Sequence, residues 1–413
     1  MFAPNAARAA LSYPSFRYFQ SARFLSVTAA EMQSVAVGWQ LYDLTGRPLD
    51  LGLAGLVQFL PGILLVPWTG RTADRVRRER IVRFCFFGAM LCNCLLLLIG
   101  ATHRATAANL YFVLVLSGIV RAFNGPASQA LGPLLVHKSH FPNAVAWGSS
   151  IFQSATIIGP TLGGGVYAAA KSPLLVYAVA AGGLFLAWML AGLVRPVIDQ
   201  RPGGGRGIKD LMGGFQCVWE RRVILGAISL DLFAVLLGGA VALLPIYAKE
   251  ILVVGPLGFG LLRSAPGVGA VSVAVVMAFM PQLRRAGIVM LACVAGFGSA
   301  TILFGLSRSF ALSLLALLLV GATDMVSVIV RGTVVQLSTP DAMRGRVSSV
   351  NMLFIGASNE LGQFESGVVA QWLGVVPCVV FGGIGAIGIV IIWTLLFPEL
   401  LRIDRLTDVR ESA

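Results

Sequence analysis

Long apolar runs separated by short polar segments dominate the chain. Each run reaches about 20 residues, enough to cross the hydrocarbon core of a bilayer as a helix. The pattern predicts twelve transmembrane helices, here called spans 1 to 12, at residues 18–44, 50–70, 81–102, 107–135, 144–170, 173–194, 223–248, 255–281, 287–306, 310–337, 346–372 and 375–397. An even number of spans places both ends of the chain on the same side of the membrane.

Composition agrees with an all-α membrane protein. Of 413 residues, 57% are hydrophobic and 12% are charged, whereas a soluble domain carries about 25% charged residues. The mean hydropathy is +0.84. A globule of this size has too little interior for that much apolar surface, which excludes a soluble enzyme. The twelve spans occupy nearly the whole chain and leave no segment for a separate soluble domain.

The distribution of positive charge predicts the orientation. Twenty-two of the 31 Lys and Arg residues lie in the two tails and in or beside the loops after even-numbered spans. The other loops hold five, and four lie within spans. By the positive-inside rule we expect a bacterial-type inner-membrane protein with both termini in the cytoplasm. The net charge of +13 therefore reflects topology, and we expect no nucleic-acid partner.

The longest loop, 195–222, divides the chain into two halves, 1–194 and 223–413. Within it, apolar residues recur at helical spacing on one face: Ile208, Leu211, Met212, Phe215, Val218 and Trp219. This pattern favours a short amphipathic helix on the cytoplasmic membrane surface over an ordinary linker.

The two halves resemble each other at nearly constant offsets. A shift of 205 places Pro61-Gly62 on Pro266-Gly267, and a shift of 203 places Gly118 on Gly321 and Gly164 on Gly367. We therefore expect two parallel six-helix repeats around a central cleft.

Charged residues inside spans are costly, at about 2.5–3.5 kcal/mol or more each, so each needs a reason. They are Arg23, Glu31, Arg121, Asp231, Arg263, Asp324, Arg331, Glu360 and Glu365. The interiors of spans 3, 6, 9 and 12 carry none. In a six-plus-six bundle those four spans can face lipid while the others line an aqueous transport pathway.

Glu31 is the leading candidate for proton coupling because it lies in the middle of span 1. Burial favours its neutral form, and we expect a nearby Arg121 to favour its ionised form. Rival proton carriers are Asp231, Asp324, Glu360 and Glu365. Arg121 and Asp324 could instead belong to structural ion pairs. For Arg23 and Arg263, near the ends of spans, snorkelling to lipid headgroups or another structural role is the leading interpretation.

Polar and aromatic residues on the cleft-lining spans are candidate substrate contacts, with helix packing as the alternative: Gln33, Trp39, Gln40, Gln58, Asn124, Gln153, Arg331 and Asn359. The six cysteines lie in or beside apolar runs without metal-ligand spacing, so we expect free thiols and no metal site. No HExxH or GxxxxGK[ST] sequence exists, and the histidines lie in predicted loops. We expect neither an enzyme nor a bound cofactor.

Three motifs resemble those of the major facilitator superfamily. The loop after span 2 contains Gly70, Asp74, Arg75 and Arg78 in the order of the superfamily signature. The resemblance implies a cytoplasmic gate, with Arg344 or Arg346 as partners of Asp74. Residues 121–125 are similar to the Arg-x-x-x-Gly pattern associated with proton coupling. Gly159, Pro160, Gly163 and Gly164 resemble the span 5 motif associated with antiporters, although two upstream glycines are replaced by Ala146 and Ala155.

Pro14-Ser15-Phe16-Arg17 and the segment 340–347 further resemble the subgroup that contains the enterobactin exporter and macrolide-efflux-type proteins. The resemblance implies a monomeric secondary transporter that exchanges protons for a small amphiphilic substrate, such as a drug or siderophore, within membrane lipid. An uptake symporter or facilitator and a lysolipid flippase remain alternatives on the same fold. A receptor or lipid-handling scaffold is less consistent with the buried charges.

Overall fold

The computed structural model describes residues 9–197, 208–280, 284–340, 343–401 and 403, without the side chains at 67, 70, 71, 73, 74 and 208–211. Over these ranges the chain forms fourteen helices of at least ten residues. They are α1 Pro14–Thr45, α2 Pro48–Leu64, α3 Val66–Arg75, α4 Arg78–Ala101, α5 Ala107–Leu131, α6 Phe141–Ala170, α7 Pro173–Gly192, α8 Ile208–Glu220, α9 Arg222–Leu237, α10 Gly255–Phe279, α11 Ala286–Leu306, α12 Phe310–Ser338, α13 Arg344–Leu373 and α14 Val375–Leu396.

Each of the twelve predicted spans contains a helix, which confirms the all-α fold. In the described part of the chain, eight helical stretches are long and apolar enough to cross a membrane. The predicted spans outside that group correspond to α1, α2, α6 and α13. Three of these helices have 30 or more residues, and the apolar α2 has 17. Two of these more polar long helices, α1 and α13, carry Arg23, Glu31, Glu360 and Glu365.

Two spans are less regular than the hydropathy pattern predicts. Span 2 divides at Leu65 into α2 and α3, where a proline in the first turn of α3 lacks the N–H that a continuous helix needs. Span 7 is helical only to Leu237. Gly238 and Gly239 follow, and short turns of 3-10, α and π type then continue to Ile251. Hydropathy does not register either break because the apolar character continues across it.

One compact unit comprises Met1–Gly46, Val57–Gly205 and Gly255–Ser264. In this unit α1 packs against α6 and α7, and α4 packs against α5 and α7. One core cluster of this unit contains Phe16, Phe19, Phe86 and Leu131, all nearly inaccessible. Close packing of these side chains stabilises the helix contacts of the unit through van der Waals contact.

The second unit comprises Arg47–Leu56, Arg206–Val254 and Ala265–Ala413. In this unit α9 packs against α13 and α14, and α11 packs against α12 and α14. This is the same order of neighbours as in the first unit, with α9 in the place of α1. The internal repeat expected from the sequence offsets is therefore present in the packing.

The matched glycines occupy equivalent crossings. In the first unit a Cβ on Gly118 would overlap the backbone carbonyl of Gln58, one turn before Pro61 in α2. In the second unit a Cβ on Gly321 would overlap the carbonyl of Pro266 in α10. Glycine is needed at both places because two helix backbones approach each other directly.

The segment between the two halves forms α8, which packs on α13. A Cβ on Gly214 would lie 2.7 Å from the carbonyl oxygen of Arg346, and the ring centroids of Phe215 and Phe354 are 5.8 Å apart. Met212 and Trp219 remain 65% and 76% exposed. One face of α8 thus packs on α13, while the apolar side chains of Met212 and Trp219 are exposed on the surface.

Candidate functional site

An ion pair joins α1 to α10 within the first unit. The Nε and Nη2 atoms of Arg263 each lie 3.4 Å from Oε2 of Glu31 and donate to it. The side chain of Arg263 is 22% exposed and that of Glu31 is 27% exposed, so the ion pair is partly buried but still accessible. Arg263, in the third turn of α10, is thus a cation in direct contact with Glu31.

Glycines of α6 let α1 approach closely at this carboxylate. A Cβ on Gly159 would lie 2.6 Å from the Cβ of Glu31, and one on Gly163 would lie 2.9 Å from the Cα of Met32. Any larger side chain would push α1 away. The antiporter-like motif thus contributes backbone surface against which Glu31 is positioned.

The other side of the same motif contacts α10. A Cβ on Gly164 would lie 3.1 Å from the Cα of Gly260, and the hydroxyls of Thr161 and Ser264 are 2.9 Å apart. Ser264 also donates to the carbonyl of Ile157 at 2.7 Å. Because Ser264 follows Arg263 directly, these bonds fix the start of α10 and with it the direction of the guanidinium.

Two candidate substrate-contacting residues, Gln33 and Gln40, form hydrogen bonds to other side chains inside the first unit. The Oε1 atom of Gln33 accepts from Asn93 at 2.9 Å, and its Nε2 donates to Ser117 at 3.3 Å. The side chain of Gln40 accepts from the hydroxyl of Tyr177 at 2.7 Å. Both glutamines are at most 9% exposed. In this conformation they hold helices together.

Trp39 also packs inside the first unit. Its ring centroid lies 6.2 Å from those of Tyr167 and Phe259, both at tilted angles. The first ring belongs to α6 and the second to α10. Trp39 therefore extends the contact of α1 with these helices beyond the Glu31–Arg263 pair.

A second ion pair is buried in the second unit. Nη1 of Arg331 on α12 contacts Oδ2 of Asp231 on α9, and the side chains are 4% and 10% exposed. Asp231, Asp324 and Ser327 line a cavity of about 10 Å³, room for about one water molecule. Asp324 has no cationic partner among the described residues. Asp231 thus contacts a buried guanidinium and also borders a small cavity that Asp324 lines.

The carboxylates of α13 differ in their surroundings. Glu360 is 6% exposed and accepts from Gln363 at 3.4 Å. Its Oε2 would lie 3.1 Å from a Cβ on Gly55, in the part of α2 that belongs to the same unit. Glu365 is partly buried one turn later, and Asn359 is exposed and donates to the carbonyl of Ile355.

The other span candidates lie on several helices. Arg121 is exposed on α5, and Asn124 accepts from Ser128 on the same helix at 3.0 Å. Gln58 and Gln153 are partly buried. Sequence reasoning assigned Arg263 a snorkelling or structural role. The available signal for its pairing was that Arg263 lies two turns inside α10 and so, like Glu31, is a charge within an apolar helix.

The gate motif is described only in part. Arg75 ends α3 and is exposed, and Arg78 donates to the carbonyl of Ala130 at 3.2 Å. Arg344 donates to the carbonyl of Gln336 at 3.2 Å, and Arg346 lies beside α8. The side-chain contacts expected for Asp74, and the surroundings of Gly70, lie outside the described residues.

Ion pairs held inside a twice-repeated bundle of membrane-crossing helices define a multi-pass membrane transporter. The model of the transmembrane secretion effector family, within the major facilitator superfamily, matches residues 5–407. The chain belongs to this family, so the superfamily resemblance is confirmed and the protein is a transporter rather than an enzyme.

Similar proteins agree with this assignment. The chain is 25% identical to the enterobactin exporter EntS of Citrobacter koseri over 97% of this chain and 96% of the exporter. It is 25% identical to the enterobactin exporter EntS of Escherichia coli O81, covering 95% and 94% of the two chains.

Solved structures share the fold. The nucleoside transporter NupG aligns with a TM-score of 0.69 at 14% identity, over 94% of this chain and 99% of that chain. A bacterial homologue of the iron transporter ferroportin aligns with a TM-score of 0.69 at 17% identity, over 94% and 98%.

Proposed function

We propose that the protein is a proton-coupled exporter that carries a small amphiphilic molecule, such as a drug or siderophore, outward in exchange for protons. The observation that carries the proposal is the Glu31–Arg263 ion pair between α1 and α10. It joins the first predicted half, 1–194, to the second, 223–413, by a contact that protonation of Glu31 would weaken.

The chemistry of the pair suits coupling. Ionised Glu31 attracts Arg263 strongly because the surroundings have a low dielectric constant. Protonation of Glu31 removes that attraction and leaves the guanidinium available for another partner. A proton and an anionic or polar substrate would therefore alternate at one site. The partial exposure of both side chains leaves room for either to reach it.

Other charged residues have alternative or additional roles in this proposal. The rival proton carriers are Asp231, Asp324, Glu360 and Glu365. Arg121 remains a candidate for sensing the ionised carboxylate of Glu31. Arg331 would hold Asp231 in its ionised form. The gate residues Asp74, Arg75, Arg78, Arg344 and Arg346 would stabilise closure on the cytoplasmic side.

An aromatic substrate surface is available on the first unit. Phe152 of α6 is 41% exposed, and the guanidinium of Arg23 lies 5.3 Å from its ring centroid. A cation and an exposed ring in contact suit a flat or anionic amphiphile. The relatives named as enterobactin exporters favour export and a siderophore-like substrate.

The transport cycle would follow from the repeat. The two halves, joined by the linker 195–222, would rock so that a central cleft opens alternately to each side, in a monomer with both termini in the cytoplasm. One charge moving through 100 mV releases about 2.3 kcal/mol, which supports a roughly fifty-fold substrate gradient.

Proteoliposomes with an imposed pH gradient test the proposal. We expect the wild-type protein to move a fluorescent amphiphile or a catecholate siderophore against the proton flow, and a protonophore to abolish the accumulation. Glu31→Gln is expected to lose gradient-driven accumulation. Glu220→Gln, on the exposed part of α8, is the matched control and keeps it.

Other outcomes would change the conclusion. Full gradient-driven transport by Glu31→Gln would reject Glu31 as the coupling site. Substrate and protons moving in the same direction would establish an uptake symporter. Movement of lysolipid between leaflets, with no transport of water-soluble amphiphiles, would establish a flippase.

A further inference from the structure

An arginine stacks on an aromatic ring at one end of two neighbouring helices. The Cζ of Arg83 lies 4.9 Å from the ring centroid of Trp188. Arg83 is in the second turn of α4, and Trp188 is in the last turns of α7. Because α4 and α7 are membrane-crossing helices that pack together, both residues lie near the level where hydrocarbon meets polar headgroups.

The ring under Arg83 belongs to an aromatic cluster open to the outside of the bundle. The ring centroids of Phe87 and Phe185 each lie 5.8 Å from that of Trp188. Phe185 is 47% exposed, and Phe84, one turn before Phe87 on α4, is 71% exposed. This surface is apolar below the guanidinium and suits an acyl chain.

The guanidinium has space and lacks a counter-ion. Gly192 ends α7 beside it, and a Cβ there would lie only 3.2 Å from the Cζ of Arg83. No carboxylate of the described residues pairs with Arg83. Arg80, one turn earlier on the same face of α4, is also exposed. Two positive charges therefore border an apolar aromatic surface at the membrane interface.

We propose that Arg83, Arg80 and Trp188 form a binding site for an anionic phospholipid. The Cζ of Arg83 lies over the indole of Trp188, and an arginine held against an aromatic face keeps N–H groups that can donate to the phosphate diester. Arg80 adds a second charge to the headgroup, and the acyl chain lies along Phe84 and Phe87. The site is on the lipid-facing side of the first unit and does not depend on the transport proposal.

Native mass spectrometry of the full-length protein in detergent tests the site, with phosphatidylglycerol and phosphatidylethanolamine as probes. We expect the wild-type protein to retain phosphatidylglycerol preferentially. Arg83→Gln is expected to lower that preference about fivefold, the effect of one interfacial positive charge. Arg104→Gln removes an exposed loop arginine that does not stack on a ring and is expected to leave the preference unchanged.

Two further variants keep the test decisive if Arg83→Gln is poorly folded. Arg83→Lys retains the charge but not the planar stack, so we expect an intermediate preference. Gly192→Ala leaves every charge in place and displaces the guanidinium, and we expect it to weaken lipid retention. Equal retention of phosphatidylglycerol by the wild type, Arg83→Lys and Gly192→Ala would overturn the proposal. So would complete displacement of the lipid by millimolar inorganic phosphate, which would identify a site for the free anion.

Discussion

The carboxylate of Glu31 and the guanidinium of Arg263 meet at 3.4 Å although 232 positions separate them in the chain. The glycines of α6 bring α1 close on one side and α10 close on the other. The pair therefore depends on three helices, two from the first predicted half and one from the second. Substitutions that shift any of these three helices are therefore expected to change the distance between Glu31 and Arg263.

Removing either partner of this pair is expected to destabilise the purified protein. Arg263→Gln leaves a partly buried carboxylate without its cation, and Glu31→Gln leaves the arginine without its anion. The double variant is expected to lose less than the sum of the two, with a coupling free energy of about 1 kcal/mol. Thermal unfolding in detergent measures it. Strict additivity of the two single effects would show that the residues do not interact.

The pair formed by Asp231 and Arg331 is more deeply buried, so its disruption should cost more. Asp231→Asn or Arg331→Gln alone is expected to lower the free energy of unfolding by about 3–5 kcal/mol, because each leaves an uncompensated charge. The double variant is expected to recover most of that loss. Thermal unfolding of the three variants measures it, and a double variant less stable than both single variants would contradict the assignment.

Asp324 provides a contrast within the same cavity. Its carboxylate has no cationic partner among the described residues, and Asp324→Asn removes a charge that the apolar surroundings disfavour. We therefore expect Asp324→Asn to leave the melting temperature unchanged or raised, while Asp231→Asn lowers it. The comparison at one pH, with the same detergent, separates the two aspartates. A similar loss in both variants would mean that Asp324 also balances a positive charge.

The helix crossings can be tested with glycine pairs on one helix. On α12, a methyl group at Gly321 would overlap the carbonyl of Pro266, whereas nothing lies within 4 Å of a Cβ on Gly332. We expect Gly321→Ala to cost about 1–3 kcal/mol and Gly332→Ala to cost little. On α5, Gly118→Ala and Gly125→Ala should behave in the same way.

Denaturant titrations of all four glycine variants measure these differences. Equal losses of stability in Gly332→Ala and Gly321→Ala would contradict the crossing as the cause, since alanine favours a helix over glycine and the overlap exists only at Gly321.

The fold was predictable from sequence because a bilayer requires long apolar helices, and twelve of them are visible as uninterrupted runs. The matched glycines and prolines of the two halves were also visible, since the spacings from Pro61 to Gly118 and from Pro266 to Gly321 differ by only two residues, 57 against 55. The breaks at Leu65 and Gly238 were not predicted. They depend on backbone geometry inside runs whose hydropathy does not change.

The site was less accessible to sequence reasoning. Glu31 was identified because a carboxylate in the middle of an apolar run is costly. Its partner was not, because the choice between Arg121 and Arg263 depends on how α1, α6 and α10 are rotated about their axes. Gln33 and Gln40 show the same limit: their spacing places them on α1, but only the packed neighbours show that they bond to Asn93 and Tyr177.

The burial of Asp231 and Arg331 also has a consequence for how the chain is made. About 100 residues separate them, so α9 leaves the ribosome and meets the insertion machinery well before its counter-charge has been synthesised. During that interval an unmatched acidic group faces the translocon or lipid, at a cost of a few kcal/mol. We therefore expect stable insertion of α9 to depend on the arrival of α12, which would make assembly of this half a late step in biogenesis.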